Sequence, residues 1–141
     1  MTQKEFNIIS KELKQRATKI MEGKRPEYTN ESLDVLRNFK STAEKLNLSP
    51  LKVWSVFFDK QIQSIITHTN NASLKKSEPI DSRFCDVMNY CLLGYALFVE
   101  RDGKKNLQAA MNKDKITYNY SIPFKELKEL YKIKQNDTNN R

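Results

Sequence analysis

Few side chains in this sequence can do chemistry, and their spacing narrows what that chemistry is. Asp86 and Asn89 stand three residues apart in an otherwise apolar stretch, in line with Leu93, so a helix there sets a carboxylate and an amide one turn apart among hydrophobic neighbours. Polar groups in such surroundings need partners to offset desolvation. Lys60 follows Val56 and Phe57 by one turn on a second apolar stretch and supplies a point charge suited to phosphate. Arg83 and Tyr28 add a guanidinium and a ring able to stack on a planar ligand, and Trp54 offers another ring. Four of these also have a purely structural reading: Asp86 and Arg83 pairing or capping within their helix, Trp54 in the core, Tyr28 packed against its loop.

Other chemistry is largely excluded. His68 is the only histidine, which removes multi-histidine metal sites and triads built on a histidine base. The two cysteines, Cys85 and Cys91, are six apart, which is neither a CxxC motif nor a disulfide framework, and both are expected to be buried thiols. Carboxylates, lysine and bound water remain.

The elements that must position these residues read as helices. Phe6, Ile9, Leu13, Ala17 and Ile20 recur at helical spacing, and this first helix is expected to end near Gly23, with Arg25-Pro26 breaking it and Asn30 capping the next. A second helix is expected from Glu31 to about Leu46 on the stripe Leu36, Phe39, Ala43 and Leu46. Ser49 then caps a third, with Pro50 at its first position, running to about His68 and buried on both sides over its first half. After a polar loop, a fourth helix capped by Asp81 or Ser82 is expected to reach Arg101 and stop at Gly103. The fold class is therefore all-α, a four-helix core with a small carboxy-terminal addition: a short helix at 106–111, a strand pair suggested by alternating Ile116, Tyr118, Tyr120 and Ile122, then a helix over 123–133. Residues 1–134 are expected to form one domain and 135–141 a disordered polar tail. Val53, Val56, Phe57, Leu93 and Leu97 make a second apolar surface, which predicts a homo-oligomer unless the carboxy-terminal segment covers it.

The net charge of +8 is unevenly placed. Residues 1–25 carry seven basic and three acidic groups, residues 26–100 eight and nine, and residues 101–141 ten and five, so the centre is neutral and the ends are basic. Basic ends attract anions such as nucleotides or nucleic acid, although scattered lysines on a solvated surface have the same composition. No apolar run is long enough to span a bilayer and the first ten residues do not form a signal peptide, so no membrane partner and a cytoplasmic location are expected.

One resemblance adds to this reading. Lys24-x-x-x-Tyr28, Leu36-Arg37-Asn38-Phe39-Lys40, Leu48-Ser49-Pro50-Leu51-Lys52-Val53-Trp54, Lys60-Gln61-Ile62-Gln63-Ser64-Ile65, and Ser77-Glu78-Pro79-Ile80 through Arg83, Asp86, Asn89 and Tyr90, in that order, resemble a family of small phage proteins called the nucleotide modification associated domain. The resemblance covers about half of the chain, and the helical bundle of that family looks distantly like the all-α nucleotide pyrophosphohydrolases. In those enzymes, carboxylates on two helices hold Mg²⁺, which needs several oxygen ligands facing one point. Here Gln63 stands at an expected acidic position, leaving Asp59 alone on its helix, and Asn89 accompanies Asp86 where a second acid would be wanted.

The resemblance thus implies a phage-type nucleotide-binding protein, cytoplasmic in the host, that recognises or sequesters a small phosphorylated ligand, a nucleotide or a cyclic-nucleotide immune signal, without efficient hydrolysis. Its ligand residues would be Lys60, Asp86 and Asn89, with Arg83 and Tyr28 at the rim, and it would need no metal or catalytic group. The alternative is a Mg²⁺-dependent nucleotide pyrophosphohydrolase using Asp59, Glu78 and Asp86. A nucleic-acid-binding accessory protein is a third class, but the basic ends carry no recognised DNA-binding motif or glycine-rich phosphate loop.

Overall fold

A computed structural model describes residues 1–30, 32–71 and 78–111. They form four helices, α1 (Gln3–Thr29), α2 (Arg37–Leu46), α3 (Pro50–Asn70) and α4 (Ile80–Met111), with no strand among the described residues. The expected strand pair, the helix over 123–133 and the polar tail lie outside them. The chain divides into two compact units, Met1–Tyr95 and Ala96–Arg141. No described helix is long and apolar enough to cross a membrane.

α1 opens with a capping box, in which the Glu5 N–H donates to the Thr2 hydroxyl at 3.3 Å and the Thr2 N–H to the Glu5 carboxylate at 2.6 Å. The backbone bond from Thr2, then its side-chain bond, hold the Glu5 carboxyl below its ordinary range. Contrary to expectation, the helix does not end near Gly23. It carries Pro26 inside its last turns and closes at Asn30, whose left-handed backbone (φ 48°, ψ 50°) turns its N–H onto the Pro26 carbonyl. Proline leaves one carbonyl of the preceding turn without its helical donor, but that carbonyl belongs to exposed Glu22 and water can reach it. Buried Thr29 further ties this turn by donating its hydroxyl to the Arg25 carbonyl at 2.9 Å. Asn30 is thus the C-cap of α1, not the N-cap of α2.

The second helix begins six residues later than expected. Ser32 and Asp34 accept from the Asp34 and Leu36 N–H groups at 3.2 and 3.0 Å, giving the backbone a turn in place of a helical ladder. α2 then buries Leu36, Phe39 and Ala43 as expected, whereas Leu46 is exposed. Ser49 caps α3 by accepting from the Lys52 N–H at 3.2 Å, with Pro50 in the first turn, as the sequence predicts. In the first half of α3, Leu51, Trp54 and Phe58 are half-buried on one side, and Val53 is buried and Phe57 half-buried on the other, but Val56 on that second side is 59% exposed. Of the remaining residues assigned to a second apolar surface, Leu97 is buried and Phe57 and Leu93 are half-buried within the single chain. α4 runs through Gly103 to Met111, absorbing the short helix expected at 106–111, since a lone glycine weakens a helix without ending it. Cys85 is fully buried, but Cys91 is exposed and does not join it in the core.

Within Met1–Tyr95 the core is aromatic where α2, α3 and α4 meet. Phe39 lies 6.3 Å from Phe57 and edge-on to Tyr90 at 6.2 Å, and Trp54 stacks on Phe58 at 5.1 Å. The Trp54 indole N–H donates to the Tyr90 carbonyl at 2.8 Å, and its ring occupies the space beside Gly94, where an added Cβ would stand 2.3 Å from ring carbons. Trp54 is therefore a core residue.

Candidate ligand-binding site

α1 and α4 run parallel and in step. The Cys85 thiol faces the Leu13 carbonyl at 3.9 Å, and one turn on the Asn89 amide donates to the Ala17 carbonyl at 2.9 Å. An Arg16–Asp81 ion pair fastens the start of this seam. Burial pushes the Cys85 thiol up, the carboxylates of Asp81 and Asp86 add to the effect, and Arg16 opposes it. Beyond Ala17 the seam opens into a cavity of about 220 Å³.

The cavity depends on the extension of α1 past Gly23. Ile20, Met21, Glu22, Lys24, Arg25, Tyr28 and Thr29 form its α1 wall; Val35, Asn38 and Phe39 close it from α2 and the turn before it. Gln61 contributes from α3, and Asp86, Asn89, Tyr90 and Leu93 from α4. Most of the wall is apolar, and its polar groups are graded by depth. Asn89 is 6% exposed, the Asp86 side chain 17%, the Lys24 side chain 51% and Tyr28 54%. Asn89 and Asp86 thus lie inside, the Asn38 and Gln61 amides are half-buried, and the charges of Lys24, Arg25 and Glu22 stand at the mouth, two cations to one carboxylate.

Two of these groups are incompletely partnered. One N–H of the Asn89 amide donates to the Ala17 carbonyl, which orients the amide, and Oδ1 is buried with no hydrogen-bond partner among the described residues. Asp86 pairs with Lys24 at 3.6 Å, longer than a hydrogen bond, so its carboxylate keeps acceptor capacity. The Tyr90 phenol stands in the same neighbourhood: burial pushes it up, the Tyr28 phenol and the Asp86 carboxylate add to this, and a hydrogen bond with Gln61 opposes them.

Of the residues singled out in the sequence, the structure brings Tyr28, Asp86 and Asn89 together. Lys60 is exposed on α3 and does not line the cavity. Arg83 pairs with Glu78 at 3.4 Å and also lies outside the lining. Lys24 takes the place at the cleft expected of Lys60, because α1 continues as a helix where the proline was expected to stop it. The stripe Phe6, Ile9, Leu13, Ala17 and Ile20 continues at the same spacing to Lys24 and Tyr28, and that continuity was the available signal. The carboxylates of the metal-dependent alternative do not converge: Asp59 is exposed on α3, Glu78 holds Arg83 and Asp86 holds Lys24. Among the described residues no three His, Cys, Asp or Glu side chains form a group able to hold a metal ion.

No protein-family model, curated protein or solved structure matches the chain.

Proposed function

We propose that the cleft between α1 and α4 binds a small phosphorylated ligand of nucleotide type, with the ring inside and the phosphate at the mouth, and that the protein recognises or sequesters this ligand without hydrolysing it efficiently. The observation that carries this reading is the depth order of the polar groups, with Asn89 buried and Asp86 half-buried inside, and Lys24 and Arg25 exposed at the mouth, where the two cations outnumber the one carboxylate, Glu22. A cavity of about 220 Å³ falls a little below the roughly 300 Å³ at which ordinary ligand pockets begin, which suits one ring system with its charged substituent left outside. Tyr28 and Tyr90 supply ring surface, and Lys24 and Arg25 supply charge for phosphate. The resemblance to the phage family supports the same class, including capture of a cyclic-nucleotide immune signal, and the dispersed carboxylates favour binding over Mg²⁺-dependent hydrolysis.

Calorimetry with mononucleotides, dinucleotides and cyclic nucleotides tests the proposal. Binding is expected, weakened about tenfold or more by Lys24→Ala, as for a hydrogen bond to a charged group, and unchanged by Lys60→Ala. The reverse pattern would move the phosphate site to α3, and no binding by any of these compounds would reject the reading.

A further inference from the structure

Two sides of α4 meet helices of the same chain: Cys85 and Asn89 turn to α1, and Tyr90 and Gly94 meet Trp54 of α3. The third side carries Phe84, Met88, Cys91, Leu92 and Tyr95. Phe84 is 45% exposed, Leu92 59% and Tyr95 44%, Cys91 is exposed and Met88 half-buried. No charged residue stands between Asp86 and Glu100, and Asp86 itself lines the cleft, so this third side is apolar throughout. We propose that two copies of this chain pack here, α4 against α4 in antiparallel orientation. The surface is distinct from the Val53, Val56, Phe57, Leu93 and Leu97 set expected from the sequence.

The order of the residues selects a second copy as the occupant. Phe84, Met88, Cys91 and Tyr95 follow one another at steps of four, three and four, the spacing of a helix–helix seam. Read in either direction the steps are the same, and so are the types: ring, sulfur, sulfur, ring. A two-fold interface needs such symmetry, because every contact in it is made twice. With the axis between Met88 and Cys91, Phe84 meets Tyr95 of the second copy and Met88 meets Cys91 of the second copy, while Leu92 flanks the seam. A charged occupant would bury its charges here without partners, at a cost in affinity, whereas a second copy brings none. Aromatic side chains bury about 150–250 Å² each. At the exposures above, the five side chains offer roughly 400 Å² on each copy, close to the roughly 500 Å² per partner at which specific interfaces begin. The dimer is accordingly weak and reversible.

Sedimentation of the full chain over roughly 10 µM to 1 mM tests this, with the mass expected to rise from one chain to two. Cys91→Asp and Leu92→Glu, both at exposed helical positions, are expected to weaken association about tenfold or more by placing a charge in the seam. Val56→Asp, an equally exposed apolar position on α3, is expected to leave it unchanged. The two Cys91 thiols come within about 10 Å of each other in this arrangement, so a short bifunctional maleimide should link two chains through them. Cys85 is fully buried and does not compete for the reagent. A single-chain mass throughout the range overturns the proposal. So does a dimer that Cys91→Asp and Leu92→Glu leave intact, or one that Val56→Asp dissociates while those two do not, since the copies would then meet elsewhere.

Discussion

The two sides of α4 are packed on different principles. Toward α2 and α3 the contact is made of rings: Trp54 lies in the notch at Gly94, donates to the Tyr90 carbonyl, and stacks on Phe58, while Phe39 meets Phe57 and the edge of Tyr90. Toward α1 it is made of small or polar side chains reaching backbone carbonyls, Cys85 to Leu13 and Asn89 to Ala17. Rings fill space and leave little room for substitution. Short polar links hold two helices in register without filling what lies beyond them, and there the cleft opens. The ring side is thus expected to carry stability, and the polar side recognition.

The largest effect is expected from Gly94→Ala. Its Cβ would stand 2.3 Å from Trp54 ring carbons, so the indole must leave its place and its hydrogen bond to the Tyr90 carbonyl must break. Destabilisation of about 1–3 kcal/mol, the usual range for overpacking, should appear in urea unfolding, with nucleotide binding altered only insofar as the protein is unfolded. A variant as stable as the parent would show that the ring side does not carry the load assigned to it.

Asn89→Leu sharpens the contrast from the other side. It removes a net hydrogen bond worth about 1 kcal/mol to Ala17, but it also removes a buried acceptor with no partner, so stability should change by no more than about 1 kcal/mol in either direction. Ligand affinity should fall although the fold persists. A loss of several kcal/mol would make Asn89 a structural residue and would take the main support from the cleft reading.

How far the sequence revealed this arrangement depended on whether local rules and tertiary packing agreed. At Ser49-Pro50 they agree, since a hydroxyl cap and a proline in the first turn serve the helix whatever surrounds it, and α3 begins as expected. At Pro26 they conflict. The local rule ends α1, but the orphaned carbonyl sits on the exposed side at Glu22, and the turn beyond is held by Thr29 and by Asn30 in its left-handed conformation. Tyr28, Asp86 and Asn89 were legible because aromatic or polar residues at helical spacing among apolar ones are conspicuous. Lys24 was legible only as part of the Lys24-x-x-x-Tyr28 run and not as a cleft residue, because its place on the α1 stripe matters only if the helix survives the proline. Lys60 and Val56 fail for a different reason: periodicity identifies an apolar face, but which face meets a neighbour is settled by the partner helices, and that part of α3 faces outward.

A smaller effect is expected at high pH. The Tyr90 phenol is raised above its ordinary value by burial first, then by Tyr28 and Asp86, so the folded chain ionises it later than the unfolded chain does. Its contribution to stability is therefore fully present below the ordinary phenol value of about 10 and is lost as pH rises through the higher folded value. Phenolate absorbance should show one tyrosine titrating late, and Tyr90→Phe should remove that component. Six tyrosines titrating together would mean that the cleft wall at Tyr90 is fully wet.

The proposed nucleotide enters the α1–α4 cleft and meets Asn89. Two-dimensional ¹H–¹⁵N spectra of the labelled protein, titrated with GMP, observe this directly through the side-chain amide of Asn89 and the backbone amides of Lys24, Arg25 and Tyr28. The expected result is saturable shifts at these four positions, with Lys60 and Arg83 unmoved. Shifts confined to α3 around Lys60, or no shift at the Asn89 side chain at saturating GMP, would contradict it.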